Sequence, residues 1–174
     1  MIKIYPYFFI VKNVTMGCRF SKCSCEEKNL RNSTMDNTPT FNLPTKIMKC
    51  KVLNVYDGDT IWVSIFLNKQ LVKFKCRMLG YDSPELKPLL KIKNRHEIIA
   101  KAIAAKNYLE SLVYDKIVDI KFSGFDKYGR ALSTLYIKDP DSNKIICPNK
   151  LEVNTLMVRK GHGYSYMGGA KRNC

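Results

Sequence analysis

Apolar and polar positions alternate through the middle of the chain in a way that predicts strands. From Val52 to Leu67 apolar and β-branched residues are dense, and the run breaks only at Asp57-Gly58. Glycine there gives the backbone freedom for a bulge or tight bend, so the pattern predicts two strands or one sharply bent strand. Side chains alternate across a strand, which places Asp59 on the same face as Ile61, Val63 and Ile65 and ends a row of core residues with a carboxylate. The next run, Leu71 to Met78, puts Val72, Phe74, Cys76 and Met78 on one face and Lys73, Lys75 and Arg77 on the other. Asn68-Lys69 between the runs suits a hairpin turn, which makes the strands antiparallel neighbours and lets Asp59 approach Arg77.

Later segments follow the same reasoning. Lys116 to Phe122 and Ala131 to Ile137 read as strands on either side of Asp126-Lys127-Tyr128-Gly129-Arg130, and Lys144 to Ile146 as a short strand. Between Glu97 and Val113 the residues Ile98, Ala102, Ala105, Leu109 and Leu112 recur at helical spacing and form one apolar stripe. Val153 to Lys160 reads as a second helix ended by Gly161. Strands, a helix, strands and a helix predict a mainly β, α+β domain: a small closed β-barrel with packed helices.

Length and composition add a division and a class of partner. A chain of 174 residues suffices for one domain plus an extension, and we place the domain at residues 45–174 and a flexible segment at 1–44. The formal charge is +15, with 24 Lys and Arg against 12 Asp and Glu from residue 45 onward, so polyanions are the favoured partners. Seven cysteines show no paired zinc spacing, and His96 and His162 stand alone. Cys50, Cys76 and Cys147 lie in apolar, strand-like surroundings and read as reduced core residues, which suggests an intracellular protein.

The first residues carry an apolar run, Ile4 to Val11, that is too short to span a bilayer and lacks a small-residue cleavage site, so secretion is the less favoured expectation. Met16-Gly17-Cys18-Arg19-Phe20-Ser21 fits the N-myristoylation pattern if translation starts at Met16, with Cys18, Cys23 and Cys25 as palmitoylation candidates, which would bring the protein to a membrane surface. Residues 26–46 are polar without a sustained period and read as a flexible linker. Leu86 to Arg95 reads as a basic loop able to track a nucleic-acid backbone.

The chemistry concentrates in Asp57-Gly58-Asp59-Thr60, in Arg77 through Asp82-Ser83-Pro84-Glu85, and in the turn ending at Arg130. Pro84 lacks an amide proton and pushes Ser83 to an extended conformation, so these carboxylates leave the sheet on a loop. Paired carboxylates for a hard cation, beside two arginines, can hold a phosphate and stabilise the extra charge of its transition state. The reading from the residues is a phosphodiesterase.

Val55-Tyr56-Asp57-Gly58-Asp59-Thr60, Arg77 through Glu85, Asp126 through Arg130, and Val153-Asn154 with Val158-Arg159-Lys160-Gly161 resemble the staphylococcal nuclease (thermonuclease) family in order and spacing, over roughly residues 45 to 166. The resemblance implies a five-stranded OB-like barrel and a Ca²⁺-dependent endonuclease that cleaves DNA and RNA with little sequence preference and leaves 3′-phosphates. It implies Ca²⁺ held by the Asp59 and Asp82 side chains and the Ser83 main-chain carbonyl, with Asp57 behind them. Arg77 and Arg130 would grip the scissile phosphate and Glu85 position or deprotonate the attacking water. Lys127, Tyr128 and Tyr166 would lie near the nucleotide, and the protein is expected to be a monomer. The family's prototype has a further helix beyond the position of Gly168-Gly169. The rival expectation is a module that keeps the fold and binds nucleic acid with weak or no turnover.

Overall fold

Buried β-branched residues build a barrel from three consecutive strands and a later hairpin. In the computed structural model, which describes residues 25–138 and 150–166, the strands β1 (Met48–Val55), β2 (Thr60–Leu67) and β3 (Gln70–Met78) form an antiparallel meander. After a two-residue strand β4 (Tyr81–Asp82) and a long helix (Arg95–Val113), β5 (Ile117–Phe125) pairs antiparallel with β1, and β6 (Ala131–Lys138) pairs antiparallel with β5. A parallel contact of β3 with β6, Cys76 opposite Ala131 and Met78 opposite Ser133, closes the ring at five strands. A short β7 (Lys150–Glu152) pairs antiparallel with the end of β6, and β8 (Tyr164–Ser165) pairs with β4.

The register follows from burial. Ile61, Val63 and Ile65 of β2 and Cys76 and Met78 of β3 are buried, with Val72 and Phe74 partly buried against them. A slip of one residue would turn these outward, at a cost of about 1.5–3 kcal/mol for each large side chain. The β2–β3 turn reinforces that register: Asn68 (φ 49°) and Lys69 (φ 64°) both occupy the left-handed region, as a two-residue type I′ hairpin requires.

Three helices occur among the described residues. The first, α1 (Cys25–Arg31), falls within the stretch expected to be a linker without regular structure. Its seven residues are too few to show an apolar stripe; acidic Glu26 and Glu27 at its start, basic residues at its end and a Glu27–Arg31 pair at 2.6 Å support it instead. The chain divides between Phe41 and Asn42, so α1 belongs to the first unit and the barrel to the second.

Helix α2 (Arg95–Val113) starts two residues before the expected Glu97, because Ile98 N–H already bonds Asn94 O at 3.1 Å. Ala102, Ala105, Leu109 and Val113 form its buried side. Helix α3 (Val153–Arg159) buries Val153 and Met157 against β6 and ends where Gly161 takes φ 74°. No helix among the described residues is long and apolar enough to cross a membrane.

Cys50 and Cys76 are free and buried, and burial pushes both thiols up to about 12. The acylation candidates Gly17, Cys18 and Cys23, the strand expected at Lys144–Ile146, and Cys147 lie outside the described residues.

Candidate active site

One wall of the site begins at the loop from β1 to β2. Asp57 Oδ1 accepts the Asp59 N–H at 3.0 Å, and the Tyr56 N–H bonds Thr60 O at 2.9 Å, which folds the loop tightly. Backbone freedom is the expected role of Gly58, but its φ is not positive. Its requirement is space: an added Cβ would sit 2.7 Å from Ser83 Cβ and 2.9 Å from Ala105 Cβ of α2. The buried Tyr81 hydroxyl donates to Gly58 O at 2.8 Å, pinning the loop from below. Burial first, and then the charge of Asp59, hold that phenol well above its usual range, so it remains a donor.

Asp59 and Asp82 converge on this wall, both buried. The Arg77 guanidinium at the end of β3 spans them, 2.7 Å from Asp59 Oδ1 and in direct contact with Asp82 Oδ1. Asp59 Oδ2 accepts from the Ser83 N–H at 2.8 Å and the Ser83 Oγ–H at 2.9 Å, while Thr60 Oγ1 donates to Oδ1 at 3.0 Å. Two carboxylates against one guanidinium leave a surplus of negative charge in a low-dielectric setting. That surplus reaches Asp57, whose carboxyl is raised by burial and by the neighbouring Asp59 charge.

The second wall is the β5–β6 turn. Asp126 Oδ1 accepts the backbone N–H groups of Tyr128 and Arg130 at 2.9 Å each, and Oδ2 takes Arg130 Nε at 2.7 Å. Gly129, at φ 77°, makes the bend that lets one aspartate reach all three donors. Burial alone would raise the Asp126 carboxyl, but these Arg130 and Tyr128 bonds and the Arg130 charge hold it below the usual carboxylate value. Because β3 and β6 are parallel neighbours, with Arg77 opposite Leu132, the turn just before β6 faces the end of β3.

The cleft between these walls has a volume of about 470 Å³. Its lining contains Asp57, Asp59, Arg77, Asp82, Ser83, Glu85, Lys127, Tyr128, Arg130 and Tyr166, which are all the site residues singled out in the barrel from sequence, together with Pro84. Glu85, Lys127 and Tyr128 are exposed at the mouth. The Lys127 ammonium lies 5.0 Å from the Tyr128 ring centroid and the Arg130 guanidinium 5.5 Å from it. The family resemblance assigns Ser83 through its carbonyl; the bonds described here are donations to Asp59.

Sequence reasoning passes over three positioning residues. Asp126 aims Arg130, and Tyr81 supports Gly58. Asn154 of α3, buried, donates to Leu79 O at 2.8 Å and Ser133 O at 3.0 Å and accepts from the Leu135 N–H at 3.1 Å, tying the segment before Asp82 to β6. Asn154 belongs to the Val153-Asn154 motif that carries the family resemblance, but nothing local in the sequence indicates its partners on Leu79, Ser133 and Leu135.

As for a cation, the donors are oxygens only, as hard divalent ions require. Among the described residues no cluster of three or more His, Cys, Asp or Glu forms, so an ion here would rest on Asp59 and Asp82 with backbone oxygens and water completing the shell.

Residues 75–173 match the family model described as staphylococcal nuclease homologue. Among curated proteins, the chain is 28% identical over 117 residues to an uncharacterised endonuclease of Haemophilus influenzae, covering 67% of this chain and 52% of that protein. It is 26% identical over 119 residues to Protein ParB of Escherichia coli, covering 68% and 58%. It is 31% identical over 121 residues to an uncharacterised protein of Bacillus anthracis, covering 67% and 46%. The chain spans about half the length of these curated relatives.

Proposed function

The chain belongs to the staphylococcal nuclease homologue family, and from that premise we propose that it is a Ca²⁺-dependent nuclease that hydrolyses DNA and RNA with little base preference, by internal cleavage that leaves 3′-phosphates. One observation carries the reading: two buried carboxylates, two arginines on separate walls and a glutamate line a single cleft of about 470 Å³. Arg77 and Arg130 offer planar forks matched to phosphate oxygens, and each such donor is worth about 10²–10³ in rate where it meets developing charge. Glu85 at the mouth positions the attacking water or takes its proton, and Tyr128 and Tyr166 offer ring faces to either neighbouring base. Asp59 and Asp82 would hold the cation, which when bound supplies positive charge beside the phosphate.

The binding-module reading draws on one observation, that both terminal nitrogens of Arg77 already contact the carboxylates of Asp59 and Asp82. Digestion of plasmid, single-stranded DNA and RNA with Ca²⁺, Mg²⁺ or chelator separates the two. The nuclease reading expects Ca²⁺-dependent cleavage abolished by chelator. In addition, Glu85→Gln should lower turnover by at least about 100-fold while nucleic-acid affinity stays near wild type. Intact substrates at millimolar Ca²⁺, with retained binding, would establish the module instead.

A further inference from the structure

The solvent side of the β2–β3 hairpin carries a second surface that begins at the cleft. Outward positions of β3 run Arg77, Lys75, Lys73, with Leu71 beyond, and the residues opposite them on β2 are Thr60, Trp62, Ser64 and Phe66. Trp62, the chain's one tryptophan, is half-buried, and Asn54 of β1 pairs with it from the other side. Tyr56, 52% exposed, lies where β1 reaches the cleft. The Lys75 ammonium sits 4.8 Å from the Tyr56 ring centroid and the Lys73 ammonium 5.4 Å from that of Trp62. Neither lysine has a carboxylate partner among the described ion pairs, unlike Lys49 and Lys51 on β1, which face Asp119 and Asp115.

We propose that Tyr56, Trp62, Lys73 and Lys75 form a subsite for the unpaired nucleic-acid strand that leads into the cleft. The inference rests on the nuclease reading for its direction, since Arg77 is common to both surfaces. Successive outward residues of a strand stand about 6.8 Å apart, so Arg77, Lys75 and Lys73 make a line of cations that an extended phosphate backbone can follow. The rings beside that line supply stacking platforms, the combination used to hold single strands without reading their sequence.

In the free protein each ring carries an ammonium, and magnitudes decide what a strand does to that arrangement. An exposed cation–π contact is worth about 0.5–1 kcal/mol, whereas stacking of a base on an aromatic ring contributes about 1–3 kcal/mol. A base therefore takes the ring and releases the lysine to the adjoining phosphate. A duplex keeps its bases stacked on each other and gains only the phosphate interactions.

Trp62 makes the subsite directly observable. With the full-length protein in chelator, single-stranded oligothymidylate of eight nucleotides should quench tryptophan fluorescence, while the dinucleotide d(TpT) and a blunt duplex should leave it near its free value. In the Lys73→Ala/Lys75→Ala variant, the affinity advantage of the octamer over d(TpT) should shrink at least about 10-fold. The salt slope of octamer binding should fall by about 1.4, or about 0.7 for each phosphate that a lysine no longer neutralises. Octamer binding without quenching, or with an unchanged advantage in the double variant, overturns the subsite; equal quenching by the duplex overturns the preference for an unpaired strand. Quenching and lysine dependence in a protein that cleaves nothing would keep the subsite and remove the nuclease reading. Cleavage with neither signal would do the reverse.

Discussion

The two walls of the cleft present one arginine each and hold it by different means. Arg77, with only 12% of its side chain exposed, sits between two buried carboxylates, of which Asp59 is itself fixed by Ser83 and Thr60 beside the close-packed Gly58. Arg130 sits at a turn tip, more exposed, held by one aspartate within five residues of chain. The first wall is assembled from distant parts of the sequence and shares its network with the barrel core. The second is a local device added to a hairpin. It follows that damage to the first wall should appear as lost stability and lost activity together, and damage to the second mainly as lost activity.

The sharpest test of this contrast compares the arginines. Arg77→Ala leaves Asp59 and Asp82 buried without their cation and should lower stability by about 3–5 kcal/mol, the usual cost of removing one partner from a buried ion pair. Arg130→Ala exposes Asp126 to water at the mouth and should cost about 1 kcal/mol or less. Both variants should lose activity, so the separating measurement is chelator-treated urea unfolding. Ca²⁺ should restore part of the stability of Arg77→Ala by replacing the missing charge. Equal unfolding midpoints for the two variants would remove the distinction between the walls.

A second test uses the glycines, one on each wall. Gly58→Asn drives a side chain into Ser83 and Ala105 and should cost about 1–3 kcal/mol or more, with the Asp59–Ser83 bonds disturbed. Gly129 has positive φ and nothing within 4 Å of an added Cβ, and asparagine tolerates that conformation, so Gly129→Asn should cost about 1 kcal/mol or less. Thermal and urea unfolding of the pair decide between steric and conformational roles. A tolerated Gly58→Asn would remove the steric role assigned to that glycine.

How much of this was legible in the sequence depends on the range of the interaction. Period-two alternation named the inward face of β2 and β3 and the outward Lys73, Lys75 and Arg77, because strand geometry is local. The turn at Asn68-Lys69 was legible for the same reason. By contrast, the meaning of Gly58 lies in Ala105 of α2 and Ser83, which no local pattern brings near it. The parallel β3–β6 contact that closes the barrel has no turn of its own to announce it, and Asn154 acts on Leu79 and Ser133 far away in the chain. The short α1 escaped because two turns on an exposed segment need no apolar stripe. The candidate site residues could be named from their motifs, but that Arg77 spans both aspartates emerged only with the fold.

The smallest effect belongs to the local wall itself. Asp126→Asn keeps an oxygen for the Tyr128 and Arg130 backbone N–H groups but sets an amide against Arg130 Nε, so the turn should persist while the guanidinium loses its aim. Misplacing a phosphate-binding group by about 1 Å can cost as much as 10²-fold, so turnover should fall by about 10- to 100-fold with the fold intact. Stability should fall by about 1 kcal/mol or less at neutral pH, because the pair is partly open to water. The pH dependence fixes the cause. Asp126 has a folded-state value below its ordinary 3.8, so between the two values the unfolded chain binds more protons than the folded one. Its stabilisation is complete above the ordinary value and is lost as pH falls through the lowered one. Asparagine has no such titration, so the stability gap between wild type and Asp126→Asn should be level near neutrality and close from about pH 3.8 downward. Urea titrations of both proteins across that range measure the gap, with the other carboxylates cancelling in the difference. A gap that persists unchanged at the lowest pH would show that the turn draws on the shape of Asp126 rather than on its charge, and the second wall would then rest on the same kind of packing as the first.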